Sequence, residues 1–271
     1  MVKPGLPKLI ATDLDGTLVR NDDTVSAYSH EVLDRVRAAG IRIVGATGRG
    51  PRLRSLTRND IRVADFLVLA QGGWVLDQAE SSYLLRSRLS GPALAETLAR
   101  LEAEVGRLSV MVEALDHDDA PLWGDYDPTW RYPVTVVRRP RAECLTGDVI
   151  KAFARSFDLH VDELLEIARR IVPPEVASVT QAGLDYVEIC PANVNKGTGL
   201  AVVAEAVGVD PQDVLVFGDM PNDIPMFQWA GWRRVAVENA HPALLELADE
   251  VTLSNERDGV AVYLDNMLKQ A

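Results

Sequence analysis

Short apolar runs and helical patterns alternate along the first seventy residues of the chain. The apolar runs are residues 9–12, 41–45 and 66–69, each of a length typical of a buried strand. Between the first two runs, Ser26 is a typical helix N-cap and Gly40 a typical helix stop. Because strands that alternate with helices usually pair in parallel, this pattern predicts a doubly wound sheet.

The last eighty residues return to the same rhythm. A helix is predicted over residues 196–207, and strands over residues 214–217, 235–237 and 251–253. The middle of the chain differs, because its strand-like runs are not in regular alternation with helices. We therefore predict an α/β protein with a mostly parallel core sheet, interrupted at residues 84–190 by an inserted α+β module.

Composition and charge narrow the functional classes. The chain has 271 residues, of which 47% are hydrophobic and 25% charged, as expected for a folded domain with a sizeable core. Its formal net charge of -12 argues against a general nucleic-acid-binding surface. The longest uncharged apolar stretch, residues 66–76, is too short to span a membrane. Asp13 and Asp15 interrupt any signal-peptide core, so we expect a cytoplasmic protein.

Paired carboxylates follow the first predicted strand. Asp13 and Asp15 are two residues apart and therefore point to the same side at its carboxyl end, with Gly16 allowing a sharp turn. Open α/β sheets place their binding sites at this edge. Two neighbouring carboxylates repel unless a cation neutralises them, and Mg²⁺ suits oxygen ligands. An acidic turn without function is the alternative interpretation.

Two further segments become informative only beside these carboxylates. Thr47, followed by Gly48, comes directly after the second strand and could hold phosphate oxygens, although Thr also caps helices. Lys196 opens a predicted helix, where the helix dipole disfavours a cation. A surface lysine is the simpler interpretation, but a site with several carboxylates and a phosphate needs a fixed positive charge.

A second acidic strand end follows residues 214–217. Asp219 stands there as Asp13 does after the first strand, and Asn222 and Asp223 follow it. Asn222 is a good N-cap and Asp223 suits the first turn of a helix, so both have an ordinary structural explanation. Asp219 has no structural explanation as simple as these. Two acidic strand ends in one sheet favour a shared site.

With these motifs in order, the sequence resembles the haloacid dehalogenase superfamily of phosphatases, and within it the Cof-type branch of sugar-phosphatase-like hydrolases. The tail residues 238–242 and 254–260 look like the closing pattern of that branch, so the resemblance covers the whole chain. It implies a Rossmann-like core over residues 1–83 and 191–271. It also implies that residues 84–190 form the α+β cap that selects the substrate.

The resemblance implies a Mg²⁺-dependent phosphatase of small phosphate monoesters, such as sugar phosphates or related metabolites. Asp13 would be the nucleophile that becomes phosphorylated, and Asp15 the acid and base. Thr47, the Gly48 N–H group and Lys196 would bind the transferring phosphoryl group. These roles match what phosphoryl transfer requires, which is positioning and charge neutralisation.

The metal set implied by the resemblance is Asp13, Asp15, Asp219 and Asp223. Asp13, Asp219 and the backbone carbonyl of Asp15 would contact Mg²⁺, and Asp223 would orient its waters or Lys196. Asn222 would support the phosphate side. No other cofactor is expected.

Other activities stay open at this point. A phosphomutase shares the phosphorylated aspartate but returns the phosphoryl group to a sugar. Residues 45–50 resemble the dinucleotide loop of some NAD(P)-binding reductases, although Pro51 stands where a further glycine would help. A non-catalytic binding module could keep the same residues. The three are distinguished by free phosphate release, by NADPH binding and by the activity of an Asp13 variant.

Substrate choice is assigned to the cap, where aromatic side chains could contact substrate or pack in the cap core. They are Trp123, Tyr126, Trp130 and Tyr132, with His117 and Arg131 nearby. Gln71 stands where the branch often has Asn, and we expect it to lie apart from the core chemistry. A small-molecule phosphate ester is the expected partner, without nucleic acid or membrane, for a monomer or small homo-oligomer.

Overall fold

The computed structural model describes residues 5–125, 135–181 and 185–270. Among the cap side chains considered for substrate contact, four lie outside these ranges: Tyr126, Trp130, Arg131 and Tyr132. Trp123 lies within them, on a short strand, and the guanidinium of Arg139 is 4.0 Å from the centre of its ring. Within the described residues, no helix is both long enough and apolar enough to cross a membrane.

Contacts divide the chain into two compact units. The core unit comprises Met1–Thr47, Ser55–Leu85 and Asn195–Ala271. The inserted unit comprises Gly48–Arg54 and Arg86–Val194. The short segment Gly48–Arg54 is grouped with the inserted unit although it directly follows Thr47, a division that the sequence pattern did not predict.

The strands, in chain order, are β1 (Leu9–Thr12), β2 (Arg42–Ala46), β3 (Phe66–Leu69), β4 (Trp74–Asp77), β5 (Ser82–Arg86), β6 (Ser109–Glu113), β7 (Leu122–Gly124), β8 (Val136–Arg138), β9 (Lys151–Arg155), β10 (Ala177–Thr180), β11 (Val187–Pro191), β12 (Val214–Gly218), β13 (Arg233–Val237) and β14 (Glu250–Thr252). The α-helices are α1 (Ala27–Ala38), α2 (Arg54–Asp60), α3 (Gly91–Val105), α4 (Arg141–Cys144), α5 (Val161–Ile171), α6 (Lys196–Val207), α7 (Ile224–Trp229), α8 (Pro242–Leu245) and α9 (Gly259–Gln270). Short 3-10 turns lie at Pro51–Leu53, Ala70–Gly72, Pro211–Asp213, Pro221–Asp223 and Asn255–Arg257.

The core sheet has the strand order β14-β13-β12-β1-β2-β3-β4-β5. From β14 to β3 each neighbouring pair is parallel, whereas β4 runs antiparallel to β3. Strands β1, β3 and β12 are buried along their whole length, as expected for a parallel sheet covered on both faces. Because β1 lies between β2 and β12, the chain reverses its direction of winding there, which is where such sheets bind ligands.

Helices of the core unit pack in two pairs, α1 with α9 and α6 with α7. Helix α1 begins at its predicted cap, where the Ser26 hydroxyl accepts the Ser29 N–H, and it packs against α9. Helix α6 packs against α7, β3 and β4. Its approach to the sheet is close, because a Cβ on Gly199 would lie 2.8 Å from the Gly72 Cα. A larger residue there would push away the helix that begins with Lys196.

The inserted unit is an α+β module. Its sheet has the order β10-β11-β9-β6-β7-β8, antiparallel except for the β7–β8 pair. Helices α3 and α5 pack against each other, and leucines from both, such as Leu98 and Leu164, join the inner face of the sheet in one apolar core. Helix α5 starts with a capping arrangement, in which Glu163 Oε2 accepts the His160 N–H at 3.1 Å and His160 Nδ1 accepts the Asp162 N–H at 3.4 Å.

Some elements differ from the pattern prediction. Strands β4 and β5 were not predicted, because the predicted third strand ends at Leu69 and no strand was assigned to the residues that follow it in the core. Strand β9 was also missed, since charged residues stand at both of its ends, Lys151 and Arg155. After Pro51 the chain forms a 3-10 turn that leads directly into α2.

Candidate active site

Two acidic residues meet at the carboxyl ends of adjacent parallel strands. Thr12 of β1 is in register with Phe217 of β12, and the Asp13 N–H donates to the Phe217 carbonyl at 3.0 Å. Asp219 lies directly after the end of β12, two residues beyond Phe217, and both carboxylates are buried. Since both strands are apolar up to this edge, these are the first acidic side chains that each strand presents there.

Lys196 neutralises part of this charge. Its Nζ donates to Asp13 Oδ1 at 2.5 Å and to Asp223 Oδ1 at 2.6 Å. The lysine side chain is completely buried, with 0% exposed. The alternative interpretation of Lys196 as a surface lysine is therefore wrong. Asn195 caps α6 by accepting the Thr198 N–H, which places Lys196 at the first turn and aims its side chain inward.

Asp223 connects the lysine to the loop after β12. Its second oxygen, Oδ2, accepts the backbone N–H groups of Asp219 and Met220, both at 3.0 Å. This carboxylate therefore does more than begin a helix, because it holds both the ammonium and the turn that carries Asp219. It is completely buried as well.

Thr17 is a site residue that the sequence reasoning missed. Its Oγ1 donates to Asp219 Oδ1 at 2.8 Å, and it lies 3.5 Å from Asp13 Oδ2. Its signal was present, since Thr17 ends the same five-residue motif as Asp13. Gly16 makes this contact possible, because its φ is +84° and a Cβ there would lie 2.4 Å from Asp219 Oδ2.

Three carboxylates of this site form a cluster suited to a metal ion. Oxygens of Asp13, Asp219 and Asp223 lie within 4.8 Å of one another. With Lys196, they carry two more negative than positive charges when all are ionised. Oxygen ligands with this charge fit a hard divalent cation such as Mg²⁺. Asp15 is half-buried beside the cluster and is not part of it in the described residues.

Burial without a metal makes the negative charge costly. Burial raises the pKa of Asp13 to about 6, against the opposing effect of the Lys196 ammonium. Burial and the neighbouring charges of Asp13 and Asp223 raise the pKa of Asp219 well above its ordinary value. Burial lowers the pKa of Lys196, but the charges of Asp13 and Asp223 more than compensate and raise it. The lysine therefore stays protonated while the carboxylates compete for protons.

Thr47 and Asn222, the two other core-unit residues predicted on the phosphate side, are both buried and both contact Gln71. Thr47 is buried, and its backbone pairs with Val68 and with the Gln71 N–H at the end of β2. The Asn222 Nδ2 donates to Gln71 Oε1 at 3.1 Å. The Asn222 Oδ1 is buried and has no hydrogen-bond partner among the described residues. Gln71 therefore contacts a residue that the sequence predicts on the phosphate side.

Comparison with known proteins decides the family. Residues 10–264 match the haloacid dehalogenase-like hydrolases. The chain belongs to this family. The resemblance deduced from the motifs, including the Cof-type branch, is confirmed.

Relatives and solved structures agree with this assignment. The 5-amino-6-(5-phospho-D-ribitylamino)uracil phosphatase YwtE of Bacillus subtilis is 29% identical, over 96% of this chain and 98% of its own. A second phosphatase named for the same substrate, YbjI of Escherichia coli, is 28% identical over 97% of this chain and 96% of its own. A haloalkanoate-superfamily phosphatase structure from Bacteroides thetaiotaomicron has a TM-score of 0.78 at 22% identity, with 98% of each chain covered.

These findings confirm the predicted fold class and enzyme class. The haloacid dehalogenase fold has a Rossmann-like core with an inserted cap, as in this chain. The chain is a haloacid dehalogenase-like phosphatase, a hydrolase of phosphoric monoesters. Family membership replaces the reductase interpretation of residues 45–50, which begin at the end of β2 rather than after the first strand.

The carboxylate cluster predicts a metal-dependent gain in thermal stability. At pH 7.5, saturating Mg²⁺ should raise Tm of the wild-type phosphatase by roughly 5–10 °C, the size expected for a ligand at about 100 times its Kd. Asp219→Asn should abolish this gain and raise Tm without metal, because it removes a buried repulsive charge. Asp213→Asn, at an exposed ion pair, is the matched control and should keep the gain.

The same experiment has a defined dependence on pH. Because the pKa of Asp13 rises from 3.8 to about 6 on folding, the metal-free folded state binds more protons. The contribution of Asp13 to the free energy of unfolding is therefore complete below about pH 4 and is lost as the pH rises through about 6. Mg²⁺ must displace these protons, so its effect on Tm should shrink at pH 5. An Mg²⁺ effect that is equal at both pH values, or retained in Asp219→Asn, would contradict the metal assignment.

Proposed function

We propose that the chain is a Mg²⁺-dependent phosphatase that acts through an aspartyl-phosphate on Asp13. The observation that supports this most is the buried Lys196 ammonium, shared between Asp13 at 2.5 Å and Asp223 at 2.6 Å. It holds one oxygen of Asp13 and leaves the carboxylate anionic in a site that burial would otherwise make neutral. A carboxylate that is fixed and ionised is suited to nucleophilic attack.

In the first step, Asp13 Oδ2 attacks phosphorus while Lys196 holds Oδ1. An O–P bond forms to Asp13, the bond from phosphorus to the ester oxygen breaks, and Asp15 gives its proton to the leaving alcohol. In the second step, Asp15 takes a proton from water as the water attacks phosphorus. This releases phosphate and restores the Asp13 carboxylate, so the difficult hydrolysis is divided into two easier steps.

The metal ligands in this proposal are Asp13, Asp219 and the backbone carbonyl of Asp15, with Asp223 orienting Lys196 and the waters. Bound Mg²⁺ supplies positive charge that lets the anionic nucleophile approach an anionic phosphate. Thr17 holds Asp219 Oδ1 by a 2.8 Å hydrogen bond and so sets the direction of its second oxygen.

Phosphate binding is assigned to Thr47, the Gly48 N–H, Lys196 and Asn222. The buried Oδ1 of Asn222 has no partner among the described residues and accepts a donor rather than a phosphate oxygen, and a buried acceptor without a donor is costly in a folded protein. A substrate hydroxyl would satisfy it. The Gln71 contact sets the orientation of this amide.

For the substrate we propose a phosphorylated sugar or polyol, with 5-amino-6-(5-phospho-D-ribitylamino)uracil as the first candidate. Both curated relatives described above carry that activity in their names and match this chain over nearly its whole length. The inserted unit is the proposed specificity element. Action in the cytoplasm on a small molecule, as a monomer or small homo-oligomer, completes the proposal.

Replacing the nucleophile tests the chemistry. Asp13→Asn keeps an oxygen for the Lys196 hydrogen bond but removes the attacking anion, so kcat for an aryl phosphate should fall by at least roughly 10³-fold. Asp249→Asn removes an exposed carboxylate paired with Arg234 and should keep the wild-type rate. The measurement is phosphate release at saturating Mg²⁺, with circular dichroism to check folding. Wild-type activity in Asp13→Asn would remove Asp13 as nucleophile.

A panel of phosphate esters tests the substrate. We expect the highest kcat/KM for the ribitylaminouracil phosphate or another sugar or polyol phosphate, with stoichiometric release of inorganic phosphate. Isomerised sugar phosphate without release would instead identify a phosphomutase. Equal, very low rates on every ester would show that the physiological substrate lies outside the sugar and polyol phosphates.

A further inference from the structure

The inserted unit contains a buried ion pair that the proposed chemistry does not use. Lys151 Nζ on β9 donates to Glu188 Oε2 on β11 at 2.8 Å, with the two side chains 3% and 4% exposed. Burying two such charges costs several kcal/mol per ion before their attraction is counted. A buried ion pair is therefore weak support for stability and calls for another physical reason.

The third partner of the ion pair suggests that reason. Lys151 Nζ also donates to the backbone carbonyl of Gly48 at 2.5 Å. The ammonium lies 4.6 Å from the centre of the Phe153 ring, which further limits its position. Glu188 and Phe153 are register partners on adjacent strands, so the sheet itself fixes both groups around the lysine. Lys151 is thus directed at one backbone group, the carbonyl of Gly48.

Glu113, at the end of β6, holds the next part of the same segment. It accepts the Arg52 N–H at 3.2 Å, at the start of the 3-10 turn that follows Gly50. A Cβ on Gly50 would lie 2.2 Å from both Glu113 carboxylate oxygens, so the carboxylate lies directly against the backbone. Glu113, from the sheet of the inserted unit, therefore caps this 3-10 turn by accepting a backbone N–H group at its start.

The rest of the segment is held from the loop after β6. The Arg52 Nε donates to the Ala120 carbonyl at 3.0 Å, and the Asp119 N–H donates to the Arg52 carbonyl at 2.9 Å. Arg54 pairs with Asp118 at 2.9 Å. Gly48–Arg54 is therefore bound along its length by residues that are distant in sequence.

We propose that Lys151, held by Glu188, is a positioning residue for phosphoryl transfer. Lys151 fixes the Gly48 carbonyl and so sets the backbone conformation of Gly48. The N–H of Gly48, in the peptide bond to Thr47, is the group assigned to bind the transferring phosphoryl group. This inference rests on the proposed function. Small errors in the placement of a transition-state donor are costly, since a shift of about 1 Å reduces rates roughly 100-fold. The buried charge of Lys151 is therefore explained by the position that it gives the Gly48 backbone.

The test is the double variant Lys151→Met/Glu188→Gln, which removes both charges together and leaves neither buried without its partner. We expect kcat for an aryl phosphate to fall at least 10-fold, with KM changed by less than about 3-fold, because the lost interaction belongs to the transition state. Inhibition by orthovanadate should weaken by the same factor as kcat/KM. Hydrogen exchange should speed up in peptides covering residues 48–54. Glu188→Gln alone, which leaves Lys151 in place, should give a smaller loss.

The control is Arg170→Met, which removes an exposed ion pair with Glu104 in the same unit and should change none of these values. Faster exchange at residues 48–54 with wild-type kcat and vanadate inhibition would overturn the proposal, since the contact would then be only structural. Unchanged exchange would overturn it as well. Absence of phosphatase activity in the wild-type protein would instead overturn the proposed function, and the inference with it. If the double variant fails to fold, Glu188→Gln decides: a fall in kcat matched by weaker vanadate inhibition supports the proposal, and wild-type values of both overturn it.

Discussion

The buried lysine between two aspartates is the interaction on which the site depends. Lys196 brings together three parts of the chain that are far apart in sequence, because its ammonium bonds Asp13 after β1 and Asp223 after β12 while its backbone begins α6. Without that cation, the parallel register of β1 and β12 would place buried carboxylates together with no compensation. The close packing of α6 on the sheet at Gly199 keeps the lysine in reach.

The lysine compensates only part of the charge, and this residual charge links stability to function. The pKa values of Asp13 and Asp219 are raised, which means that the folded state would be more stable with protons or a metal bound to these carboxylates. A chain selected for stability alone would replace one of these carboxylates. Keeping all three is explained by a task that needs a cation, and phosphoryl transfer is such a task.

Much of this could be predicted from the sequence, because short apolar runs define parallel strands and the first polar residue after each run falls at the binding edge. Asp13, Thr47 and Asp219 were found in this way. Burial of Lys196 could not be predicted, since a helix start looks the same whether it faces water or carboxylates. Thr17 was missed because its role depends on a cross-strand distance. The grouping of Gly48–Arg54 with the inserted unit depends on contacts with Glu113 and Lys151, which no local pattern records.

The most direct test of the account is to trap the phosphorylated residue. Wild-type protein is mixed with substrate and Mg²⁺, quenched in acid within the first turnover and treated with borohydride, which reduces an aspartyl-phosphate to homoserine. Peptide mass spectrometry then locates the modified position. The account predicts homoserine at position 13 and at no other aspartate. Modification at Asp15 or Asp219, or no modified peptide while product is forming, would contradict it.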